Sequence, residues 1–395
     1  NIESVAIVAE CNQKLNNVKI YRHSAILRKK TRFLEPFIRK YIEVKYNKRK
    51  REPFSLSLIG GNVFREQWIR DADIIHLHWI CNFLSPRVIK KLSKLGKPLV
   101  WTCHDSWPFT GGCHVRYNCD KYRTQCKKCP VLDSNTDYDL STFIFNRKNK
   151  YLSKLPITFI APSNWMKKNL ETSMMFRGNR CVVIPNTLDL NIFNDKDIDD
   201  VAKKLNYQKD FSKIHLLFGA VVLKIPYKGL VFFTEALRRL WEEHNDVAKK
   251  TVIHFIGADK CEDEILKYYE CKRWGYIVEQ EKMACIYNMA DILVFPTLED
   301  NLPGMVMESL ACATPVVAFD TGGVSDMVVH KENGYIAQHG DSSDLLNGIL
   351  WVIDNNKENV LGKNGREKIK KEFNPELIAQ KHIDLYNILL EGKNV

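Results

Sequence analysis

Apolar runs of four to six residues recur along this chain, with enough sequence between successive runs for a helix. Asp73-Ile74-Ile75-His76-Leu77-His78, Pro98-Leu99-Val100-Trp101-Thr102-Cys103, Ile157–Ile160 and Cys181–Ile184 form one series. A second consists of Ile214–Gly219, Val252–Gly257, Asp291–Phe295 and Val316–Phe319. Strands apolar at consecutive positions are covered on both faces, as in parallel sheets flanked by helices. The pattern predicts an α/β protein of two doubly wound parallel-sheet (Rossmann-like) domains, facing a central cleft at the strands' carboxyl ends. The expected boundaries are 1–190, including a cysteine-rich loop at 111–130, and 191–374. A final amphipathic helix, about Pro375–Leu390 within 375–395, is expected to cross back to the first domain. Asn194–Asp200 reads as an acidic linker. Ser4–Cys11 reads as a helix and Val18–Tyr21 as a strand, so the expected opening strand and glycine-rich turn are not found.

Composition adds partners and place. The 395 residues are 45% hydrophobic and 27% charged, enough to fill two cores. No apolar run reaches eighteen residues, so no membrane-spanning helix is predicted. Residues 1–20 lack the basic start and apolar run of a secretory leader, and with scattered cysteines this predicts a reducing cytoplasm. Formal charge is +12, which favours anionic partners. Residues 28–51 hold eleven Lys/Arg against Glu35 and Glu43. After Pro36, Phe37, Ile38, Tyr41 and Ile42 fall on one helical stripe, with Arg39, Lys40, Lys45 and Lys48–Arg51 off it. Such a helix either packs on its own domain or lies on an anionic membrane, here the inner face.

Four cysteines, Cys113, Cys119, Cys126 and Cys129, follow a C-x5-C-x6-C-x2-C spacing. Four thiolates satisfy tetrahedral zinc, and a loop short of apolar residues gains stability from a metal. The expectation is a structural zinc site, with His114 an alternative ligand and free thiols or a disulfide the competing reading. His76 and His78 share one face of a strand, and at least one reads as a hydrogen-bonded core histidine. His104-Asp105 follows a strand end, where His104 can donate to a hydroxyl or to developing negative charge and Asp105 can orient it or nearby backbone. Lys228-Gly229 opens a helix after the strand ending at Gly219; the lysine can neutralise a diphosphate, Gly229 permits close backbone approach, and Lys224 adds a second cation. In Glu299–Gly323 a loop carboxylate, Asp300, and a helix carboxylate, Glu308, flank a helix start near Pro303, a site for phosphate beside acceptors for sugar hydroxyls.

Taken in order, these pieces resemble the family-four retaining glycosyltransferases of GT-B architecture, nearest the bacterial branch that builds capsule, exopolysaccharide and O-antigen. The resemblance rests on His76-Leu77-His78-Trp79, Trp101–Asp105 with Trp107–Cys113, Ala161-Pro162-Ser163-Asn164-Trp165, Ile184–Asp189, Gly219-Ala220, Lys228-Gly229, Glu299–Gly323 and Asn333-Gly334-Tyr335. It implies that Glu308 binds a ribose diol and that Asp300 contacts donor-sugar hydroxyls near Asn301, Leu302 and Pro303. It implies further that Lys228 holds diphosphate, that His104 reaches the donor sugar, and that Tyr276 and Ile277 meet the nucleobase. His78 and Asp105 are candidates for the acceptor side.

Three departures stand out. Asp300 replaces the family's usual Glu, with Glu299 adjacent. Ala220 stands where an arginine partner of Lys228 is usual, leaving Lys224 as the second cation. The first glycine-rich loop is not seen. The implied reaction transfers a sugar from a nucleotide-sugar to a glycan or lipid-linked acceptor with retention, without an enzymic nucleophile, a catalytic metal or another cofactor. The competing readings are a nucleotide-sugar 2-epimerase, a donor-binding scaffold without activity and, far behind, a zinc-stabilised nucleic-acid binder; nucleic acid is not expected as a partner.

Overall fold

The computed structural model describes residues 4–8, 18–20, 36–37, 40–50 and 52–392. The chain divides into two compact units: Asn1–Ala161 with Lys167–Val182 and Tyr386–Val395, and Pro162–Met166 with Val183–Leu385.

In the first unit, β1 (Ala6–Val8) pairs in parallel with β2 (Val18–Ile20) as a two-stranded sheet. This corrects the helix expected at Ser4–Cys11. A short run rich in Val and Ile fits either element by periodicity, and pairing with a second β-branched run decides for strand. Residues 9–11, and Tyr21 of the predicted strand, lie outside the described residues. The main sheet has the order β3 (Ile75–His78), β4 (Leu99–Thr102), β5 (Ile157–Ala161), β6 (Cys181–Val183). Its parallel register places His78 beside Thr102 and Thr102 beside Ile160. Trp101, Phe159 and Phe176 pack as one aromatic group, with centroids 6.0 Å apart for the first pair and 4.6 Å for the second.

The second unit carries a six-stranded parallel sheet. In chain order the strands are β7 (Ile214–Gly219), β8 (Thr251–Ile256), β9 (Glu270–Gly275), β10 (Ile292–Phe295), β11 (Val316–Phe319) and β12 (Gly334–Ala337). Their order in the sheet is β12-β11-β10-β7-β8-β9. Strand order reverses between β7 and β10, so the crevice at their carboxyl ends is the topological switch point, where ligands of such sheets bind. Alternate residues feed two cores. Leu216, Phe218, Ile292, Val294, Val317 and Phe319 pack toward the helix Leu230–Glu243, whose Phe233, Ala236, Leu237 and Leu240 form its buried stripe. Leu217, Leu293, Phe295, Val316 and Ala318 pack toward the helices Gln280–Met289 and Gly304–Ala311 on the other face. Strand residues of period two with apolar character on both sides are what this double covering needs.

The acidic segment read as a linker instead starts a helix, Ile198–Leu205. Asp197 caps it, accepting from the N–H groups of Asp199 and Asp200, and those two carboxylates sit in the first turn, where the helix dipole favours them. Gly334 and Tyr335 begin β12 beside β11, and a Cβ at Gly334 would lie 2.2 Å from the Val316 carbonyl oxygen.

A chain of neutral rings lies in the sheet. Trp274 Nε1 donates to His254 Nδ1 at 3.1 Å; His254 Nε2 faces His215 Nδ1 at 2.9 Å; His215 Nε2 faces the Asp210 carbonyl at 3.0 Å. The tryptophan donor fixes the neutral His254 ring with its proton on Nε2, directed at His215 Nδ1. Burial, with added repulsion from His215, Lys209 and Lys272, lowers the His254 pKa from 6.5 to about 3. The unfolded chain therefore binds this proton first, and its share of stability, whole above pH 6.5, is lost progressively as pH falls toward 3. Urea unfolding as a function of pH is expected to show this acid slope in the wild type and a shallower one in His254→Leu.

Candidate functional site

In the second unit three loops converge on residues 296–301 at the switch point. Gly229, with φ +80°, brings the loop after β7 so close that a Cβ would stand 1.8 Å from the Pro296 carbonyl oxygen. The N–H of Leu298 and the hydroxyl of Thr297 both donate to the Tyr227 carbonyl, at 2.7 and 3.0 Å. From the other side, Gly322 (φ +57°) and Gly323 press the loop after β11 onto the carbonyls of Asp300 and Asn301, at 1.5 and 2.1 Å from their hypothetical Cβ atoms. The Thr321 hydroxyl and His339 Nε2 reach the Leu298 carbonyl at 2.9 and 3.0 Å.

This packing brings two of the expected residues together: Lys228 Nζ lies 3.0 Å from Asp300 Oδ2, both groups about a fifth to a quarter exposed. Glu308 stands on the helix Gly304–Ala311, which starts at Pro303 as its N-cap, one residue later than the sequence suggested and without a side-chain cap. Glu308 Oε2 accepts from the hydroxyl of the fully buried Tyr287 at 2.8 Å. Burial raises the Glu308 pKa, and the Tyr287 hydrogen bond opposes the rise. Tyr287 is a residue that sequence reasoning missed; nothing in the pattern of its helix distinguishes it from core.

Asn301 and Leu302 are buried, with Asn301 Oδ1 accepting from Ser163 Oγ at 2.7 Å. Glu299 is buried as well. Lys224 is exposed and lies 3.6 Å from Glu262, while its N–H donates to Asp259 at 3.0 Å. Ala220 is buried, its N–H bonded to the Ile256 carbonyl. Tyr276 and Ile277 follow β9, with Tyr276 57% exposed and Ile277 packed partly against the core.

In the first unit the polar groups gather at the carboxyl ends of β3 and β4. His76 is held from both nitrogens, by Tyr386 at 2.7 Å and Thr102 at 2.8 Å. His78 Nδ1 faces His104 Nε2 at 3.1 Å. Burial lowers the His104 pKa, partly countered by Asp105, so the neutral ring is favoured. Asp105 does not orient that ring. Its Oδ1 accepts from the Trp107 N–H at 2.8 Å, and its Oδ2 meets His114 Nδ1 at 2.6 Å. His114 Nε2 in turn meets Ser55 Oγ at 2.9 Å.

Lys148, fully buried, is the second residue that sequence reasoning missed. Its Nζ donates to the carbonyls of Trp107 and Thr110 and stands 3.6 Å over the Trp107 ring. Burial pushes its pKa down to about 7, against the pull of Cys81, Cys113, Cys126 and Asp105. Its signal was present: in the helix Leu140–Leu152, Lys148 falls on the stripe of Ser141, Ile144, Phe145 and Leu152.

The structural-zinc expectation gains no support from geometry. Among the described residues no group of three or more His, Cys, Asp or Glu side chains is placed to hold a metal ion, and no disulfide forms. Cys113 and Cys129 instead join Tyr46, Val131 and Leu132 in a small apolar cluster, and the Gly111 N–H donates to Cys126 Sγ at 3.2 Å. Burial raises all three thiols, Cys126 to about 12.

Part of the basic segment is described. Its backbone is helical at 36–37 and 40–45, and Phe37, Tyr41 and Val44 are 63%, 51% and 69% exposed. Ile42 and Tyr46 turn to the small apolar cluster, and Lys50 Nζ lies 3.5 Å over the Tyr117 ring. Residues 28–35, Ile38, Arg39 and Arg51 lie outside the described residues. No described helix is long and apolar enough to cross a membrane.

Two parallel α/β units, each built on its own sheet, are the architecture of the GT-B fold. One family model, Glycosyltransferase Family 4, matches residues 20–192, and another, Glycosyl transferases group 1, matches residues 213–355. The chain belongs to this family of glycosyltransferases. It is 24% identical over 217 residues to an Escherichia coli UDP-Gal:alpha-D-GlcNAc-diphosphoundecaprenol alpha-1,3-galactosyltransferase, covering 53% of this chain and about half (55%) of that relative. Among solved structures it is similar to sucrose-phosphate synthase of Thermosynechococcus elongatus (TM-score 0.62, 17% identity, 98% and 88% of the two chains). It is also similar to Anabaena HepE in complex with UDP (TM-score 0.59, 17% identity, 94% and 86%).

The carbonyls held by Lys148 lose a buried donor in Lys148→Met, which is expected to lower the stability of the full chain by about 1–3 kcal/mol. Urea unfolding checks this, and unchanged stability would show that the ammonium contributes nothing there.

Proposed function

We propose that this chain transfers a glycosyl group, with retention, from a nucleotide-sugar to a glycan or lipid-linked acceptor in surface-polysaccharide synthesis. The observation that carries the reading is the placement of Lys228, Asp300 and Glu308 around one switch-point crevice. Breaking the sugar–phosphate bond leaves a diphosphate anion and an oxocarbenium-like sugar, so the site must hold preorganised positive charge where anionic oxygen develops. Lys228 supplies an ammonium and the helix start at Pro303–Met305 supplies N–H groups and its dipole. Glu308, steadied by Tyr287, offers acceptors to a ribose diol. Asp300 accepts from donor-sugar hydroxyls, and the exposed Tyr276 with Ile277 receives the base. Neutral His104, beside His78, can donate to the sugar without introducing charge. No side chain is assigned as a nucleophile, and no metal or other cofactor is assigned to catalysis.

UDP in the HepE complex and the UDP-galactose donor in the name of the Escherichia coli relative favour a uridine donor. A basic helix with Phe37, Tyr41 and Val44 exposed beside Lys40, Lys45 and Lys48 supports peripheral contact with an anionic membrane, where a lipid-linked acceptor would lie and where a cytoplasmic enzyme would meet it.

Calorimetric titration with UDP, GDP and ADP is expected to show binding by at least one. Glu308→Ala should weaken the tightest by roughly ten- to a hundred-fold, through loss of hydrogen bonds to a charged acceptor, and Lys228→Ala should also weaken it. No binding by any of the three, or full affinity in Glu308→Ala, would overturn the site. Flotation with vesicles containing phosphatidylglycerol is expected to carry the chain upward and to fail after Phe37, Tyr41 and Val44 are changed to Ser; equal flotation of that variant excludes this helix as the contact.

A further inference from the structure

Trp79 is the first residue after β3, at the carboxyl edge of the first unit's sheet. It is 61% exposed and held at φ +41°. A bulky residue in the left-handed region is costly, on the order of 1–3 kcal/mol, and persists where the surroundings impose it. Here the surroundings are polar and fixed. The His114 ring lies 5.7 Å from the Trp79 ring and is pinned through both nitrogens by Asp105 and Ser55; the His104 ring lies 6.5 Å away and faces His78. An exposed indole alone says little. An indole turned outward by a strained backbone, at a ligand-binding sheet edge and beside donor–acceptor side chains, is a flat apolar platform with hydrogen-bonding groups at its rim.

We infer that Trp79 is a binding platform for a pyranose ring of the acceptor, with His78, steadied by His104, at the rim for its hydroxyls. The chemistry selects that ligand class. A pyranose presents axial C–H bonds on one face, which suit an indole, and equatorial hydroxyls around its edge, which suit neutral imidazoles. A phosphate would meet the Asp105 carboxylate nearby and gain nothing from the ring. A nucleobase would also stack, but the base is assigned to the segment after β9 in the other unit. The inference rests on the reading that this chain moves sugars, and it concerns the receiving side only.

The test is indole NMR on the full-length ¹⁵N-labelled chain, with the Trp79 Nε1–H signal assigned by its absence in Trp79→Phe. Methyl glycosides of glucose, galactose, mannose and N-acetylglucosamine are the probes, with UDP titrated separately. At least one glycoside is expected to shift the Trp79 signal, and UDP to leave it unmoved. Binding of that glycoside, followed by saturation transfer, should persist in Trp79→Phe and weaken about tenfold in Trp79→Ala. A Trp79 signal unmoved by all four glycosides, one that moves with UDP, or full glycoside binding by Trp79→Ala overturns the platform. Loss of nucleoside-diphosphate binding at Glu308 would instead overturn the donor reading, and the glycoside titration reports independently of it.

Discussion

The close approach of backbone to backbone around residues 296–301 is the constraint on which the second unit's chemistry depends. Two connections, after β7 and after β11, reach the central loop only because glycines stand at the contacts, and the one after β12 adds the His339 ring. Any Cβ at Gly229, Gly322 or Gly323 would overlap a carbonyl oxygen of Pro296, Asp300 or Asn301. What results is a loop whose carbonyls are taken up by neighbours and whose Asp300 carboxylate is left facing Lys228. Preorganisation of this kind is what electrostatic stabilisation requires, since a group that must first move into place contributes less.

In the first unit the equivalent rigidity is built from side chains. The connection after β4 carries His104 and Asp105 and has little regular structure. It is held from beneath by Lys148 on two carbonyls and from within by the Asp105–His114–Ser55 chain. A lysine serves there because its three donors reach carbonyls that no nearby strand satisfies, and its ring contact with Trp107 offsets part of the desolvation cost. Two cysteines of the same connection, Cys113 and Cys129, pack in a small apolar cluster with Tyr46, Val131 and Leu132.

Much of the fold was legible because both-face burial leaves a simple trace: consecutive apolar residues bounded by polar loops. The strands from β3 to β8, then β10 and β11, were read from it directly. The strand β9 escaped because Glu270–Gly275 is an edge, half exposed and carrying Lys272 and Arg273. The opening strand escaped because three residues of Ala, Ile and Val carry no period. The helix at Ile198–Leu205 escaped because its capping aspartates look, in sequence, like the composition of a linker. Lys228, Asp300 and Glu308 were singled out by their places after strand ends, and the structure pairs the first two. Tyr287, the partner of Glu308, was not, since it acts through a contact across the fold, while Lys148 fell on the buried stripe of its helix and was not singled out. Asp105 falls between: nearby backbone was one of its two expected partners and the Trp107 amide fills that place, whereas the His114 ring was not foreseen.

The Lys228–Asp300 pair has a kinetic corollary. On the proposed donor reading, a diphosphate arriving at Lys228 has to displace the Asp300 carboxylate that the ammonium already meets at 3.0 Å. Arrival is then governed by the field of the whole chain, whose formal charge is +12, and ionic strength acts on that long-range step. Departure, on the same reading, is eased by the return of Asp300 to the lysine. Encounter and residence are thereby set by different parts of the molecule.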